Sequence, residues 1–322
     1  MALRAPEMAS RAQQRGVTLI ELMVAMALGL VIVLAASMAF LAGKKLFNTD
    51  TDVQAVQDSL RFTRYVVQSL IRQSGYRDFA PDHLTDGMGV VAGNPKSGSL
   101  IDLNVAGASN TTVNGNGESF GENDTDSKSR NDSLMVRFFG RSSAGDAAKP
   151  DGTMIDCLGN PQPGPPDTPS ADARSSSYFY VRLASDGEPE LYCKYKADAG
   201  GFSSGPLARG VEKFKVVYGY DGNGDTVPEA WLDANGIAAK AASGGNANEA
   251  WRKVVAVRVG IVVRSLRPNG DLKQIAGQSA SYRLFPLGSE FTDVVFDPPD
   301  DGRFRAVATF TVMLRNVNGD PA

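Results

Sequence analysis

Arg15-Gly16-Val17-Thr18-Leu19-Ile20-Glu21-Leu22 opens an apolar run in which Glu21 is the only charged residue from Val17 through Gly43. A carboxylate at membrane depth costs at least about 2.5 to 3.5 kcal/mol on insertion scales, so an acid in such a place is by default functional. Val17 to Phe40 is 24 residues; at about 1.5 Å per residue they reach ~36 Å, enough to cross a hydrocarbon core of ~30 Å with some tilt. Ordinary secretory signals have a shorter apolar core with a small-residue cleavage site beyond it, whereas here the small residue precedes the core, so the anchor is expected to remain attached. Arg4, Arg11 and Arg15, set against Glu7, hold the amino end on the cytoplasmic side, although Lys44 and Lys45 weaken the asymmetry. The rest of the chain then lies across the membrane.

The basic leader ending in Arg15-Gly16, followed by an apolar run with its acid at the fifth position, resembles the type III signal of prepilins. The resemblance implies that a membrane peptidase cuts after Gly16, methylates the new amino terminus at Val17 and leaves the apolar segment in place. Residues 1–16 are then a leader peptide and 17–43 a transmembrane and assembly helix. It also implies a role for Glu21: in pilins this carboxylate pairs with the free amino terminus of a neighbouring subunit as the helix leaves the bilayer for a filament. Such a partner favours the ionised form and offsets the cost of burying it. The alternative is a signal anchor with a tolerated acid near the interface. Val17 stands where pilins usually have Phe, and Met38 falls near where many major pilins carry a helix-kinking proline. Both departures fit a minor subunit better than a major one.

The chain has 322 residues, enough for a good core in one or two domains after the leader and anchor are set aside. Removing three arginines and one glutamate with the leader changes 33 basic against 36 acidic residues to 30 against 35, a net of -5. That balance argues against a broad nucleic-acid surface, which would be basic. Cys157 and Cys193 follow the membrane segment, in a compartment that permits oxidation, and an even count there reads as a disulfide. Two free thiols or metal ligands are the alternative, but the single histidine, His83, is distant and leaves zinc short of ligands.

Val56, Leu60, Thr63, Val67 and Leu70 recur at spacings of three and four with Gln54, Asp58, Arg61 and Gln68 between them, which predicts an amphipathic helix over 44–76 that stops at Gly75. It either continues the anchor or follows a break near Gly43. Residues 77 to 130 turn to Gly, Asn, Ser, Asp and Thr and read as loop, with one short strand at Ser99 to Val105. Strand patterns follow at Ser133 to Phe139, Tyr178 to Ala184, Glu190 to Lys196, Val211 to Tyr220, Val254 to Ser265, Ala280 to Phe285 and Arg305 to Arg315. Ser185-Asp186-Gly187 predicts a hairpin and Pro268-Asn269-Gly270 another turn. Residues 159 to 170 and the small-residue stretch Ala234 to Asn248 read as mobile loops. The fold class is therefore α+β: a long amino-terminal helix, first transmembrane and then amphipathic, packed on a mostly antiparallel β-sheet head spanning 77–322.

The head resembles the PilW-type minor pilins, through Asp58-Ser59-Leu60-Arg61, Leu70-Ile71-Arg72-Gln73-Ser74-Gly75-Tyr76, Asp156-Cys157-Leu158-Gly159, Leu191-Tyr192-Cys193, Val216-Val217-Tyr218-Gly219-Tyr220-Asp221 and the closing Leu314-Arg315-Asn316. The order of these elements along the chain carries the likeness. It implies a type IV pilin-like fold, an inner-membrane, single-pass subunit with a periplasmic head, and then a place in a pilus at the cell surface. It further implies a tip complex that primes pilus assembly for twitching motility. The implied partners are the prepilin peptidase, other minor pilins and the major pilin, a pilus tip adhesin and the inner-membrane assembly platform. The group is itself similar to the GspJ-type pseudopilins of type II secretion, the nearest alternative.

Asp221-Gly222-Asn223-Gly224-Asp225-Thr226-Val227-Pro228-Glu229 has metal-ligand spacing. Oxygens at Asp221, Asn223 and Asp225, the carbonyl of Val227 and the carboxylate of Glu229 are how an EF-hand-like loop wraps calcium. Thr226 replaces the glycine of the sixth position and Leu232 stands where a bidentate glutamate would be. The other reading is an acidic turn after a strand. No cofactor is required, and a structural Ca2+ is the one the sequence offers. Enzymatic readings lack motifs: His83 has no visible catalytic partner, Glu188 and Glu190 read as solvent-facing charge beside a hairpin, and no phosphate-binding glycine loop is present. A filament-displayed binding module for DNA or surfaces is the second class. Lys194-Tyr195-Lys196, Arg252-Lys253 and Arg303-Phe304-Arg305 pair basic with aromatic or basic neighbours, yet the acidic balance speaks against nucleic acid as a partner.

Overall fold

In the computed structural model the described residues are 16–77, 103–111, 113, 119–121, 130–165, 173–197, 201–240, 247–268, 281–285 and 294–316. The leader before Gly16, His83, most of the expected strand from Ser99 and the turn residues Asn269 and Gly270 lie outside them. The chain divides into two compact units at Asp50 and Thr51, inside the segment expected to be amphipathic.

In the first unit the apolar run forms one helix without a break at Gly43, the start of α1 (Leu19–Gln73). Its large side chains are exposed all round, from Leu19 to Phe47, as expected of a segment whose solvent is lipid or neighbouring helices rather than its own core. Among the described residues it is the one helix long and apolar enough to cross a membrane.

In the second unit the remainder of α1 turns amphipathic: Val56, Thr63, Val67, Leu70 and Ile71 are buried, while Gln54, Asp58 and Arg61 are exposed. Gly75 stops the helix in the left-handed region at φ +69°, where a residue without Cβ is favoured. The strands in chain order are β1 (Val105–Ala108), β2 (Ser133–Phe138), β3 (Ser142–Ser143), β4 (Asp146–Pro150), β5 (Ser175–Leu183), β6 (Pro189–Lys196), β7 (Phe202–Arg209), β8 (Val211–Tyr220) and β9 (Ala230–Leu232). The short helices α2 (Ala234–Lys240) and α3 (Ala247–Arg252) precede β10 (Val254–Arg264), β11 (Tyr282–Arg283), β12 (Val295–Phe296) and β13 (Arg305–Met313).

The antiparallel head comprises a five-stranded sheet in the order β1-β2-β5-β6-β7 and a four-stranded sheet in the order β13-β10-β8-β9. Every strand pairing in them is antiparallel. The expected hairpin joins β5 to β6, with Gly187 at φ +80° donating to the Ala184 carbonyl at 2.9 Å. Val67, Leu70 and Ile71 of the helix share one buried cluster with Leu134, Phe138, Phe179 and Leu191 of the first sheet and Phe214, Val216, Ile261 and Phe310 of the second. On the other face of the second sheet, Val217 and Val262 pack with Leu284, Phe285 and Phe296.

The stretch Ala234 to Asn248 is not simply loop, since α2 fills its first half. Asp233 caps that helix, accepting from Gly236 N at 2.7 Å, and Ile237 is fully buried. Residues 154 to 162 likewise fold back on themselves through the Ile155–Pro161 bridge.

Candidate assembly and processing site

Gly16 and Val17 are exposed immediately before the first helical turn. A Cβ added at Gly16 would meet nothing within 4 Å, so the fold itself does not demand glycine there. Thr18 and Glu21 close a capping box: Glu21 N donates to Thr18 Oγ1 at 3.4 Å, while Thr18 N and Oγ1 donate to Glu21 Oε2 at 3.0 and 2.9 Å. Two orphan donors of the helix start are thereby satisfied. The Thr-x-x-Glu spacing that signals this cap is legible in the sequence, beginning two residues after Gly16.

The far end of α1 is held by three separate segments. Gly75 N donates to the Arg137 carbonyl at 2.8 Å, and Phe139 N to the Tyr76 carbonyl at 2.8 Å. Asn316 Nδ2 donates to the Ser74 carbonyl at 3.0 Å and its own carbonyl accepts from Asn104 Nδ2 at 3.1 Å. Gln73 pairs both ways with the backbone of Ile155, at 3.2 and 3.4 Å. Two residues beyond Ile155, Cys157 is joined by a disulfide to Cys193 of β6, with Cα atoms 5.9 Å apart. Asp156, almost fully buried, shapes this loop by accepting from Leu158 N, Asn160 N and Asn160 Nδ2. The disulfide expected from the two cysteines is thus present, and it fastens the loop that grips the helix end.

In the acidic loop, carboxylate oxygens of Asp221, Asp225 and Glu229 all lie within 4.8 Å of one another. Asp221 is buried and accepts Gly224 N at 2.6 Å and Thr226 N at 2.7 Å. Glu229 accepts Gly222 N and Asn223 N, Asp225 accepts Val227 N at 2.8 Å, and Asn223 Oδ1 accepts Asp225 N at 2.9 Å. Thr226 takes φ +67°, the conformation that glycine supplies at the sixth position of such loops. The geometry brings three of the expected ligand residues together, and their hydrogen bonds to the backbone shape the loop.

Several of the basic residues considered for a binding module, and both glutamates expected to face solvent, are committed inside the head. Lys194 is 1 % exposed, lies over the rings of Tyr178 and Phe202 and donates to the Ser119 carbonyl. Glu188 is not solvent-facing: it bridges Arg264 at 3.1 Å and Arg303 at 2.7 Å. Glu190 is buried and pairs with Arg209 at 3.0 Å. Arg305 bridges Glu212 and Asp301, each at 2.7 Å. This six-membered cluster of Glu188, Glu212, Arg264, Asp301, Arg303 and Arg305 is not marked as a whole by any local sequence pattern, because its members come from four separate segments. Burial alone would raise the Asp301 carboxyl, but hydrogen bonds from Arg305 and from Arg303 N outweigh it and hold the group below its ordinary range.

Compared with known protein families, residues 178–316 match the family model described as Type IV Pilus-assembly protein W, and residues 11–37 match the Prokaryotic N-terminal methylation motif. No curated protein matches. Among solved structures the chain is similar to a type IV-like pilin from Thermus thermophilus, at 13% identity over 81% of this chain and 96% of that one, with a TM-score of 0.39.

Proposed function

We propose that this chain, a prepilin-type methylation motif and apolar helix followed by a PilW domain, is a non-catalytic minor pilin that primes type IV pilus assembly and sits in a tip complex. The observation that carries the reading is the placement of Gly16, Val17 and Glu21 at the start of an exposed apolar helix that runs on into the head. The chain enters the inner membrane through that helix with its head in the periplasm. The prepilin peptidase cuts after Gly16 and methylates Val17, and lateral packing with other minor pilins and the major pilin then carries the subunit into the filament. Thr18 directs both of its donors to one oxygen of Glu21, Oε2, so a neighbour's ammonium is received at Oε1. That charge-assisted bond is stronger than the neutral bonds to Thr18 and compensates the carboxylate in a low dielectric. Contacts with the assembly platform and a tip adhesin belong to the same reading.

The test is deletion of the gene, with surface pili and secreted proteins scored in the same strain and an intact copy restored. Loss of pili with normal secretion is expected. Lost secretion with normal pili would move the protein to the pseudopilus of type II secretion.

The acidic loop supports a second, smaller proposal, a structural calcium ion held by Asp221, Asn223, Asp225, the Val227 carbonyl and Glu229. A titration of the metal-free chain should show calcium binding that Glu229→Gln weakens by about tenfold or more, the effect of losing about 1.4 kcal/mol. Equal binding by the variant would assign the cluster to turn formation alone.

A further inference from the structure

A strand at a sheet edge presents unpaired N–H and C=O groups, and native proteins blunt such edges by shortness, proline, bulges or charge. Three of the four outer strands of the two large sheets are blunted. β1 has four residues and β9 three. β7 carries Pro206, ends at Arg209 and meets β6 across a register shift at Leu191 and Tyr192. β13 differs on every count. It has nine residues, pairs with β10 in unbroken register from Arg264↔Arg305 to Ala256↔Met313, and contains neither proline nor glycine. From Ala306 to Met313 it carries no charge. Val307 and Met313 stand 40 % and 50 % exposed. Among the described residues no backbone hydrogen bond reaches its outer edge.

We propose that the outer edge of β13 receives an added strand from a neighbouring filament subunit, an extended segment uncharged over about eight residues. The backbone groups of an edge are matched by another extended backbone and by nothing helical. The charge pattern selects the occupant. The one charged residue of β13, Arg305, is already bound to Glu212 and Asp301, so β13 itself offers no counter-ion to a charged strand laid along Ala306 to Met313. Apolar or β-branched side chains of the incoming strand would cover Val307 and Met313. The inference rests on the filament reading above, and it adds a contact made by the head rather than by the anchor helix.

The experiment places a photo-crosslinking amino acid at Val307 of the full-length chain in piliated cells, with a control at Ile32 in the apolar helix, and identifies adducts by peptide mass spectrometry. The expected adduct at Val307 is to an uncharged extended segment of another subunit that carries its own prepilin signal. Met313→Lys, which charges an exposed edge position, should lower its yield about tenfold or more, a loss of about 1.4 kcal/mol, while the melting midpoint in detergent matches the parent. Should that variant fail to fold, Val307→Lys serves as the block with the crosslinker moved to Met313. An adduct to a second copy of this chain, an undiminished adduct in the folded variant, or no adduct at Val307 while Ile32 still captures other pilins would each overturn the edge proposal alone. Loss of capture at Ile32 as well would overturn the filament reading with it.

Discussion

At the scale of single residues, the glycine at position 16 and the acid at position 21 carry the account. Because a Cβ at Gly16 meets nothing within 4 Å, Gly16→Ala should leave the helix intact and act on the peptidase alone. The expected outcome is a chain that keeps its leader, read by mass spectrometry of the membrane fraction; a normal mature amino terminus would contradict it. Gly75 is the opposite case. At φ +69° an added Cβ would come within 2.5 Å of Asn104 Nδ2 and the Asn316 carbonyl, so Gly75→Ala should cost at least about 1 to 2 kcal/mol in a urea melt. Both glycines were legible in the sequence, one from its place before an apolar run and one as a helix stop. Asn104 and Asn316 were not legible as a pair. Their meeting depends on a contact across 212 positions, which no local pattern encodes.

At the scale of elements, α1 and the disulfide loop belong together. Gln73 grips Ile155, and the bond between Cys157 and Cys193 fixes that loop to β6. Closing 36 positions of chain should stabilise the head by about 4 kcal/mol on the chain-entropy estimate. Changing both cysteines to serine is therefore expected to lower unfolding free energy by that order and to raise amide exchange at residues 70 to 74 before the sheets respond. Uniform exchange across the head would show that the loop does not hold the helix end. Strands with dense Val, Tyr and Phe were readable nearly to the residue: β8 spans the expected Val211 to Tyr220. β7 was invisible because Phe202–Arg209 combines Ser, Gly and Pro with a single buried residue, Ala208, so neither alternation nor propensity marks it. α2 hid behind Asn235 and Gly236, whose cost is offset by the Asp233 cap and the burial of Ile237.

At the scale of the whole molecule, the head joins two sheets through a cluster of ion pairs. Glu188 sits at the turn before β6 in the five-stranded sheet, while Glu212, Arg264 and Arg305 lie in the four-stranded one. Because the folded-state pKa of Asp301 is depressed, its contribution to stability is present above the ordinary carboxylate value of about 3.9 and lost as pH falls through the folded value. Urea melts taken between about pH 6 and pH 2 should show stability falling with acid, and Asp301→Asn should flatten that slope. An unchanged slope would place the acid sensitivity elsewhere. The division into an exposed apolar helix and a β-rich unit was legible from hydropathy. The split of the head into two sheets was not, since pairing order depends on which strands meet and not on what each strand contains.

The central claim is that this chain leaves the membrane as a processed subunit of a filament. The most direct measurement is mass spectrometry of filaments sheared from the cell surface, comparing the parent chain with Glu21→Ala. The account predicts a peptide beginning at methylated Val17 in the parent filaments, and a variant that is cleaved but stays in the membrane. A chain still carrying its leader, or Glu21→Ala recovered from filaments in parental amounts, would contradict it.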